Sequence, residues 1–300
     1  MGDYLKFLER VVPCTVNIHS FIPEGHPSSR TLGTERMGSG VIIGREGFIL
    51  TVGYTVFGAR KLIVSLTDNR QVPAKIVCYD FESGLAVLKM QSGGPYRYAE
   101  LGTSGLVKES SKTIIISSTG KFDRTATKGF ITSIRPFDAY WEYMLDHAIL
   151  TTAETPGFGG GPLLDNLGRV IGIVSLSLGS MIEKTLAIPI DLFNTVKEEI
   201  FRTGTIPNRI PRPWIGFYTE SCEGGVMVIG ITPDGPASKS NLQVKDIILD
   251  INGVEVSSRR ELYEELWKHK AGEEIVFTVL RNGELESITV ESVDRALFYR

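Results

Sequence analysis

The chain reads as a mainly β protein, two barrels of short strands followed by a smaller α+β domain, and three observations lead there. Glycine supplies 32 of the 300 residues, above the ~7% usual in globular chains. Short β-branched runs recur between Gly, Asn and Asp turn signals, six of them before residue 91 and six more before residue 190, a density that suits closed barrels. Past residue 190 the apolar period turns helical, three prolines follow, and a second, shorter pattern begins at Trp214.

Residues 4–12 place Leu5, Leu8 and Val12 at helical spacing, and residues 14–18 alternate like a strand. Residues 38–44 and 47–51 read as a hairpin turning at Arg45–Gly47. Residues 62–66, 72–79 and 85–90 complete the first barrel, broken at Asp68-Asn69 and Glu82-Ser83-Gly84. Residues 113–117, 125–133, 147–152, 161–164, 170–175 and 185–188 repeat the density as a second barrel. Residues 191–203 form a helix with Leu192, Phe193, Val196 and Ile200 on one face, Asp191 as N-cap and Gly204 past its end. The expected domains are therefore 1–204 and 214–293, joined by a semi-rigid linker 205–213 carrying Pro207, Pro211 and Pro213. In the second domain, strands at 214–217, 226–229 and 246–251 precede a helix from the capping box Ser258-Arg259-Arg260-Glu261 to about Lys270. Strands at 275–280 and 285–290 then close through Asn282-Gly283.

A net charge of −3 without blocks of one sign leaves no electrostatic footprint for nucleic acid or an anionic membrane. Cys14, Cys78 and Cys222 are too few and too far apart for a disulfide framework and read as buried thiols; no Cys/His spacing suits a metal, and no cofactor motif is present. No apolar stretch is long enough to span a membrane, residues 1–12 lack a signal-peptide core, and Lys6 stands where myristoylation needs Ser or Thr. As written the chain is expected in the cytoplasm, and in the cell envelope or periplasm if a leader has been removed.

Taken together, Gly38-Ser39-Gly40-Val41-Ile42-Ile43, Gly47-Phe48-Ile49-Leu50-Thr51, Leu85-Ala86-Val87-Leu88-Lys89, Gly160-Gly161-Pro162-Leu163-Leu164 and Leu186-Ala187-Ile188-Pro189 resemble the protease half of the HtrA (Deg) family. Trp214-Ile215-Gly216-Phe217, Pro233-Asp234-Gly235-Pro236-Ala237 and residues 246–253 resemble its PDZ half. The resemblance runs from about Phe7 to Val290 and implies a chymotrypsin-like double β-barrel followed by one PDZ domain.

The departures fall on the catalytic triad that the resemblance implies. The family's Thr-x-x-His reads Thr51-Val52-Gly53-Tyr54, the aspartate before Leu-Ala-Val-Leu-Lys is Gly84, and the serine of Gly-Asn-Ser-Gly-Gly is Gly159, with Phe158 in place of asparagine. Amide attack needs an oxygen nucleophile, a base titrating near neutrality and a carboxylate to orient it. Glycine supplies neither the first nor the third, and a phenol of pKa about 10 leaves roughly one Tyr54 in a thousand ionised at pH 7. His19, His26, His147 and His269 do not follow the expected strand. Ser175 and Ser177 lie on the strand that resembles the family's substrate-pairing strand, where the backbone does the binding. No residue is assigned to catalysis. Neighbours of the lost positions, Gly53 and Thr55 as well as Phe158, have changed too, the pattern of a naturally inactive member.

What remains is binding. The Gly157 and Gly159 amides either form an oxyanion-hole-like nest or only satisfy a turn. Trp214, Ile215, Gly216 and Phe217 match the carboxylate-binding loop of PDZ domains, with Leu262 and Leu266 on the facing helix; Trp214 and the leucines could equally be core residues. The expected partners are C-terminal or unfolded peptide segments. The resemblance also implies a homotrimer, with Tyr4, Phe7 and Phe21 as candidate contacts or as barrel core. The leading expectation is a peptide-binding pseudoprotease with a chaperone-like or scaffold role. Two alternatives stand beside it: a serine endopeptidase of protein quality control with residual or rearranged chemistry, and a regulatory subunit of active paralogues.

Overall fold

The computed structural model describes residues 2–206 and 209–300, residues 2–6 by backbone alone. The chain forms two compact units. The first holds the residues up to Pro136 and those from Asp146 to the linker; the second holds Phe137–Leu145 together with the residues beyond the linker.

In the first unit, helix α1 (Gly2–Val11) leads into strand β1 (Thr15–Phe21), and a short helix α2 (Ser29–Leu32) follows. Strands β2 (Glu35–Ile42) and β3 (Phe48–Val52), the one-turn helix α3 (Gly53–Val56), and β4 (Lys61–Ser65), β5 (Gln71–Asp80) and β6 (Leu85–Met90) complete a closed barrel of order β1-β2-β3-β6-β5-β4. Its interior is filled by Val16, Ile18, Ile49, Val64 and Leu88. Strands β7 (Lys112–Ser118), β8 (Arg124–Ala139), β9 (Tyr143–Thr151), β10 (Pro162–Leu164), β11 (Val170–Ser177) and β12 (Thr185–Pro189) close a second barrel of order β10-β11-β12-β9-β8-β7. Read from β7, the second barrel repeats the strand order of the first. Its core holds Ile115, Ile131, Ile149, Leu163 and Val174.

The predicted helix over 191–203 is two pieces, α4 (Asp191–Asn194) and α5 (Lys197–Thr203), broken at Thr195–Val196. Asp191 is not an N-cap: its carboxylate accepts from the Gly105 amide and from the Asn194 side chain. Gly204 ends α5 as expected, at φ 74° in the left-handed region.

The second unit contains β13 (Pro213–Trp214), β14 (Phe217–Cys222), β15 (Gly225–Ile231), β16 (Ile247–Ile251), β17 (Val254–Glu255), helix α6 (Arg259–Leu266), β18 (Glu274–Arg281), β19 (Glu284–Glu291), β20 (Val293–Asp294) and α7 (Arg295–Phe298). The sheet runs β14-β15-β16-β18-β19, which leaves β14 at an edge. Ile275, Phe277 and Val279 alternate inward along β18, and the hairpin turns at Asn282 (φ 52°) and Gly283 (φ 88°), the two positive φ values that a two-residue turn of this kind demands. Ser258 caps α6 by accepting from the Glu261 amide, but the helix stops at Leu266, short of the expected Lys270.

Two boundaries differ from the expectation. The expected linker 205–213 lies partly outside the described residues, and its Pro213 already pairs with Asp294 as part of the second unit. The β8–β9 hairpin is far longer than 125–133 and 147–152, and its tip at 137–145 belongs to the second unit. Periodicity could not show this, because Arg135 and Pro136 are exposed on consecutive positions and the tip is ordered by contacts remote in sequence. The buried-thiol reading holds fully for Cys14, whose pKa burial pushes up to about 11; Cys78 and Cys222 are half-buried. Among the described residues no helix is long and apolar enough to cross a membrane and no cluster of His, Cys, Asp or Glu could hold a metal.

Candidate functional site

The loop between β9 and β10 is held by Ser39 of β2. The Ser39 amide donates to the Gly159 carbonyl at 2.7 Å, its hydroxyl donates to the Phe158 carbonyl at 2.6 Å, and the Ser118 amide donates to the same hydroxyl at 2.8 Å. Gly160 sits at φ 94°, and a Cβ there would stand 2.2 Å from the Ser39 carbonyl, so glycine is required for both conformation and space. No hydrogen bond among the described residues takes the Gly157 or Gly159 amide, whereas the Phe158 amide is bound to the Ser118 carbonyl.

Tyr54 and Gly159 meet. A Cβ built on Gly159 would lie 2.3 Å from the Tyr54 hydroxyl and 3.2 Å from the Ser175 carbonyl, the nearest atoms to it. The phenol donates to that carbonyl at 2.7 Å. The space that a serine side chain would need is thus filled by the tip of the tyrosine. The residue is 39% exposed, but its hydroxyl end is enclosed, and burial pushes the phenol up to about 12. At pH 7 that leaves about one molecule in 10⁵ ionised, so the hydroxyl is a donor and not a base. Arg36 fixes the turn that carries it: its guanidinium donates to the carbonyls of Tyr54 and Phe57 at 3.0 Å each, and to Ser28 Oγ at 2.7 Å.

Gly84 is the third member of the cluster, since its carbonyl accepts from the Gly53 amide at 2.8 Å. The nearby acid, Asp80, is engaged by its own turn, accepting from the Ser83 hydroxyl at 2.6 Å and the Glu82 amide at 3.0 Å. The histidines are elsewhere: His19 pairs with Glu35, His26 with Ser28, His269 with Asn252, and His147 is an exposed β9 residue. His26 Nδ1 and Ser28 Oγ are 2.8 Å apart, but Ser28 is buried and its oxygen also accepts from Arg36. Of the candidate oligomer contacts, Phe7 and Phe21 are half-buried, Phe21 beside His19 and beneath Lys61, and the Tyr4 side chain lies outside the described residues.

The second unit carries a cradle of backbone amides, and it is filled. Ile215 N–H donates to one Glu142 carboxyl oxygen at 2.9 Å; Gly216 and Phe217 N–H donate to the other at 2.7 and 3.2 Å. Successive amides converging on one point form an anion-binding nest. Glu142 is 5% exposed and stands at φ 53°, a strained conformation for a non-glycine residue. Its remaining polar groups are satisfied: its amide donates to Tyr263 Oη at 3.0 Å, and its carbonyl accepts from Arg295 at 3.3 Å. Two residues earlier, the Tyr140 carbonyl accepts from the Thr219 amide on the open edge of β14 at 2.9 Å.

This geometry sorts the predicted groove residues. Ile215, Gly216 and Phe217 offer their amides as the motif implied. Trp214 does not: its ring is buried against Phe298 and Tyr299, with centroids 4.7 and 5.5 Å away. Leu262 and Leu266 lie in the domain core with Phe217, Ile248 and Phe277. Among the α6 residues that hydrogen-bond the tip are Tyr263, whose hydroxyl donates to the Ala139 carbonyl at 2.8 Å, and Arg259, which pairs with Asp138 at 2.7 Å. Both escaped the sequence reading, as did Glu142. For Glu142 the one mark is an unassigned stretch between strong strand signals, dense in aromatic and acidic residues; Tyr263 and Arg259 lie on the helix that the sequence assigns.

Residues 38–173 match the trypsin-like peptidase domain, and residues 213–291 match the PDZ domain. A probable periplasmic DegP-like serine endoprotease of Pseudomonas savastanoi pv. phaseolicola is 30% identical over 303 residues, 95% of this chain and 60% of its own length. The serine endoprotease DegS of Haemophilus influenzae is 29% identical over 293 residues, 93% of this chain and 84% of its own length. The chain belongs to the HtrA/Deg family. Among solved structures, the HtrA-type protease AlgW with a decapeptide superposes with a TM-score of 0.60 at 27% identity, covering 97% of this chain and 98% of its own. A serine endoprotease of Yersinia pestis gives a TM-score of 0.59 at 27% identity, covering 97% of each chain. This HtrA-family chain spans about 60% of the length of the DegP-like relative.

Two outcomes follow from the geometry. Gly159→Ala should cost about 1–2 kcal/mol in chemical denaturation, the price of overpacking against the phenol, and much less in a Tyr54→Phe background; equal costs would mean that the hydroxyl does not fill the position. Burial pushes the Glu142 carboxyl up from 4.5 to about 7, against the opposing pull of the three amides and Arg295. A raised value means that its stabilising contribution is complete below pH 4.5 and is lost as pH rises through about 7. Carboxyl-¹³C NMR of glutamate-labelled protein should show one resonance titrating near 7 that Glu142→Gln removes; glutamates titrating only between about 4 and 5 would contradict it.

Proposed function

We propose that this HtrA-family chain binds polypeptide segments without cutting them, the barrels serving as a scaffold and the PDZ domain as the peptide receptor. The observation that carries the reading is the Tyr54 hydroxyl standing where a nucleophilic side chain at Gly159 would be, bonded to the Ser175 carbonyl. Acyl transfer through a serine needs an activated oxygen and a base that accepts its proton. Here the enclosed phenol has a pKa of about 12, and the atoms nearest a Cβ at Gly159 include no imidazole and no carboxylate. Loss of the triad in related chemistry lowers turnover about a millionfold. The Gly157 and Gly159 amides remain available to an acceptor such as a bound segment's carbonyl, which agrees with holding peptide in the cleft. In the PDZ half, the converging Ile215, Gly216 and Phe217 amides and the β14 edge supply the two elements that capture of a peptide carboxylate by strand addition requires.

A second reading is a serine endopeptidase of protein quality control. It is favoured by the names of the relatives, which are serine endoproteases, and by the shared fold. A third reading is a regulatory subunit of active paralogues; a trimeric assembly and action in the cell envelope, where the DegP-like relatives are named as periplasmic, are proposed alongside each of the three.

Unfolded casein incubated with the wild-type chain should stay intact, with or without a covalent serine-directed inhibitor. The triple variant Tyr54→His, Gly84→Asp, Gly159→Ser should cleave it with a gain of about 10³-fold or more over background. Inhibitor-sensitive cleavage by the wild type would decide for the endopeptidase.

A further inference from the structure

The hairpin tip at 137–145 has the form of a ligand. A peptide that adds as a strand to a sheet edge offers alternate backbone groups to that edge and ends with its carboxylate in a nest of amides. The tip, a turn and not a paired strand, supplies one contact of each kind: the Tyr140 carbonyl accepts a hydrogen bond from the Thr219 amide on β14, and two residues on, the Glu142 side chain delivers a carboxyl to Ile215, Gly216 and Phe217. Helix α6 braces the same segment through Tyr263, which donates to the Ala139 carbonyl and accepts from the Glu142 amide, and through the Arg259–Asp138 pair at 2.7 Å. Burying a carboxyl and holding Glu142 at φ 53° are both unfavourable for the segment alone. They are offset by a set of contacts that matches a bound peptide end and leaves no polar group of Glu142 without a partner.

We propose that Tyr140–Glu142 is the resident ligand of this chain's own PDZ groove, with the Glu142 side chain in the place of a peptide's terminal carboxylate. An external C-terminus then binds only by displacing the tip, so the groove is closed at rest and opens when the β8–β9 hairpin lets go. The second half of this statement rests on the peptide-capture reading above; the first half does not. The titratable and charged groups facing Glu142 are Arg295 and Tyr299 from the C-terminal segment and Tyr263 from α6.

The test uses the full chain and Glu142→Gln, an isosteric change that turns one acceptor into a donor facing an amide and leaves no cavity. Hydrogen exchange of the Ile215, Gly216 and Phe217 amides should quicken about tenfold or more in the variant, as expected for losing charge-assisted hydrogen bonds, while exchange along β18 and β19 is unchanged. A fluorescent peptide reproducing residues 133–142 with a free C-terminal carboxylate should bind the variant about tenfold more tightly than the wild type, and its C-terminally amidated form should not. Unchanged exchange overturns the resident ligand. Quickened exchange with equal peptide affinity for both proteins overturns the gating. Quickened exchange with no binding to either upholds the resident ligand and overturns the peptide-capture reading instead. Glu142→Ala, checked for retained fold by circular dichroism, should reproduce the direction of both effects.

Discussion

The hydrogen bond from the Tyr54 phenol to the Ser175 carbonyl is the contact on which the protease half turns. It does three things at once. It fills the volume that a side chain at Gly159 would need, it engages a carbonyl of the strand that resembles the family's substrate-pairing strand, and it keeps a buried hydroxyl satisfied at the cost of any basicity. Arg36 makes the arrangement rigid by binding the carbonyls of the Tyr54 turn, and Ser39 does the same for the glycine loop from the other side. Positions 54 and 159 are therefore coupled: the phenol at 54 reaches the carbonyl only because the residue at 159 has no side chain.

A similar logic appears in the second unit, described by itself. The motif that nominates a PDZ carboxylate loop offers three converging amides, and an empty nest of that kind would leave donors exposed to whatever anion is at hand. Here the chain supplies the anion from its own Glu142. In both units a side chain of the same molecule fills a concave spot of backbone, a phenol beside Gly159 in one and a carboxyl among three amides in the other. The filled cleft and the filled groove suit a protein whose interactions are conditional.

Much of the architecture was legible because it is written in local chemistry. Short β-branched runs between turn signals marked the barrel strands, though not the full length of β8 and β9, while Asn282-Gly283 marked the last hairpin and Gly204 the end of α5. The family itself was legible as well, since its motifs recur in order along the chain. That Tyr54 would enter the space beside Gly159 was not, because it depends on a close approach across 105 residues of sequence. Whether Trp214 faced the groove or the core stayed open in the sequence, because the motif fixes its backbone and says nothing of where a large ring finds apolar partners, which lie in α7 and Tyr299. Glu142 was invisible for a sharper reason. A lone acid in an aromatic turn ordinarily faces water, and only the fold reveals that three amides wait for it.

The claim that peptide bonds are held here and not cut is tested most directly by intact-mass measurement after prolonged exposure of the full chain to a fluorophosphonate probe. An unmodified mass is expected, since the hydroxyl beside Gly159 is the enclosed Tyr54 phenol, which donates to the Ser175 carbonyl and not to a base. A single stoichiometric adduct on any side chain of the cleft that holds Tyr54 and Gly159 would contradict it.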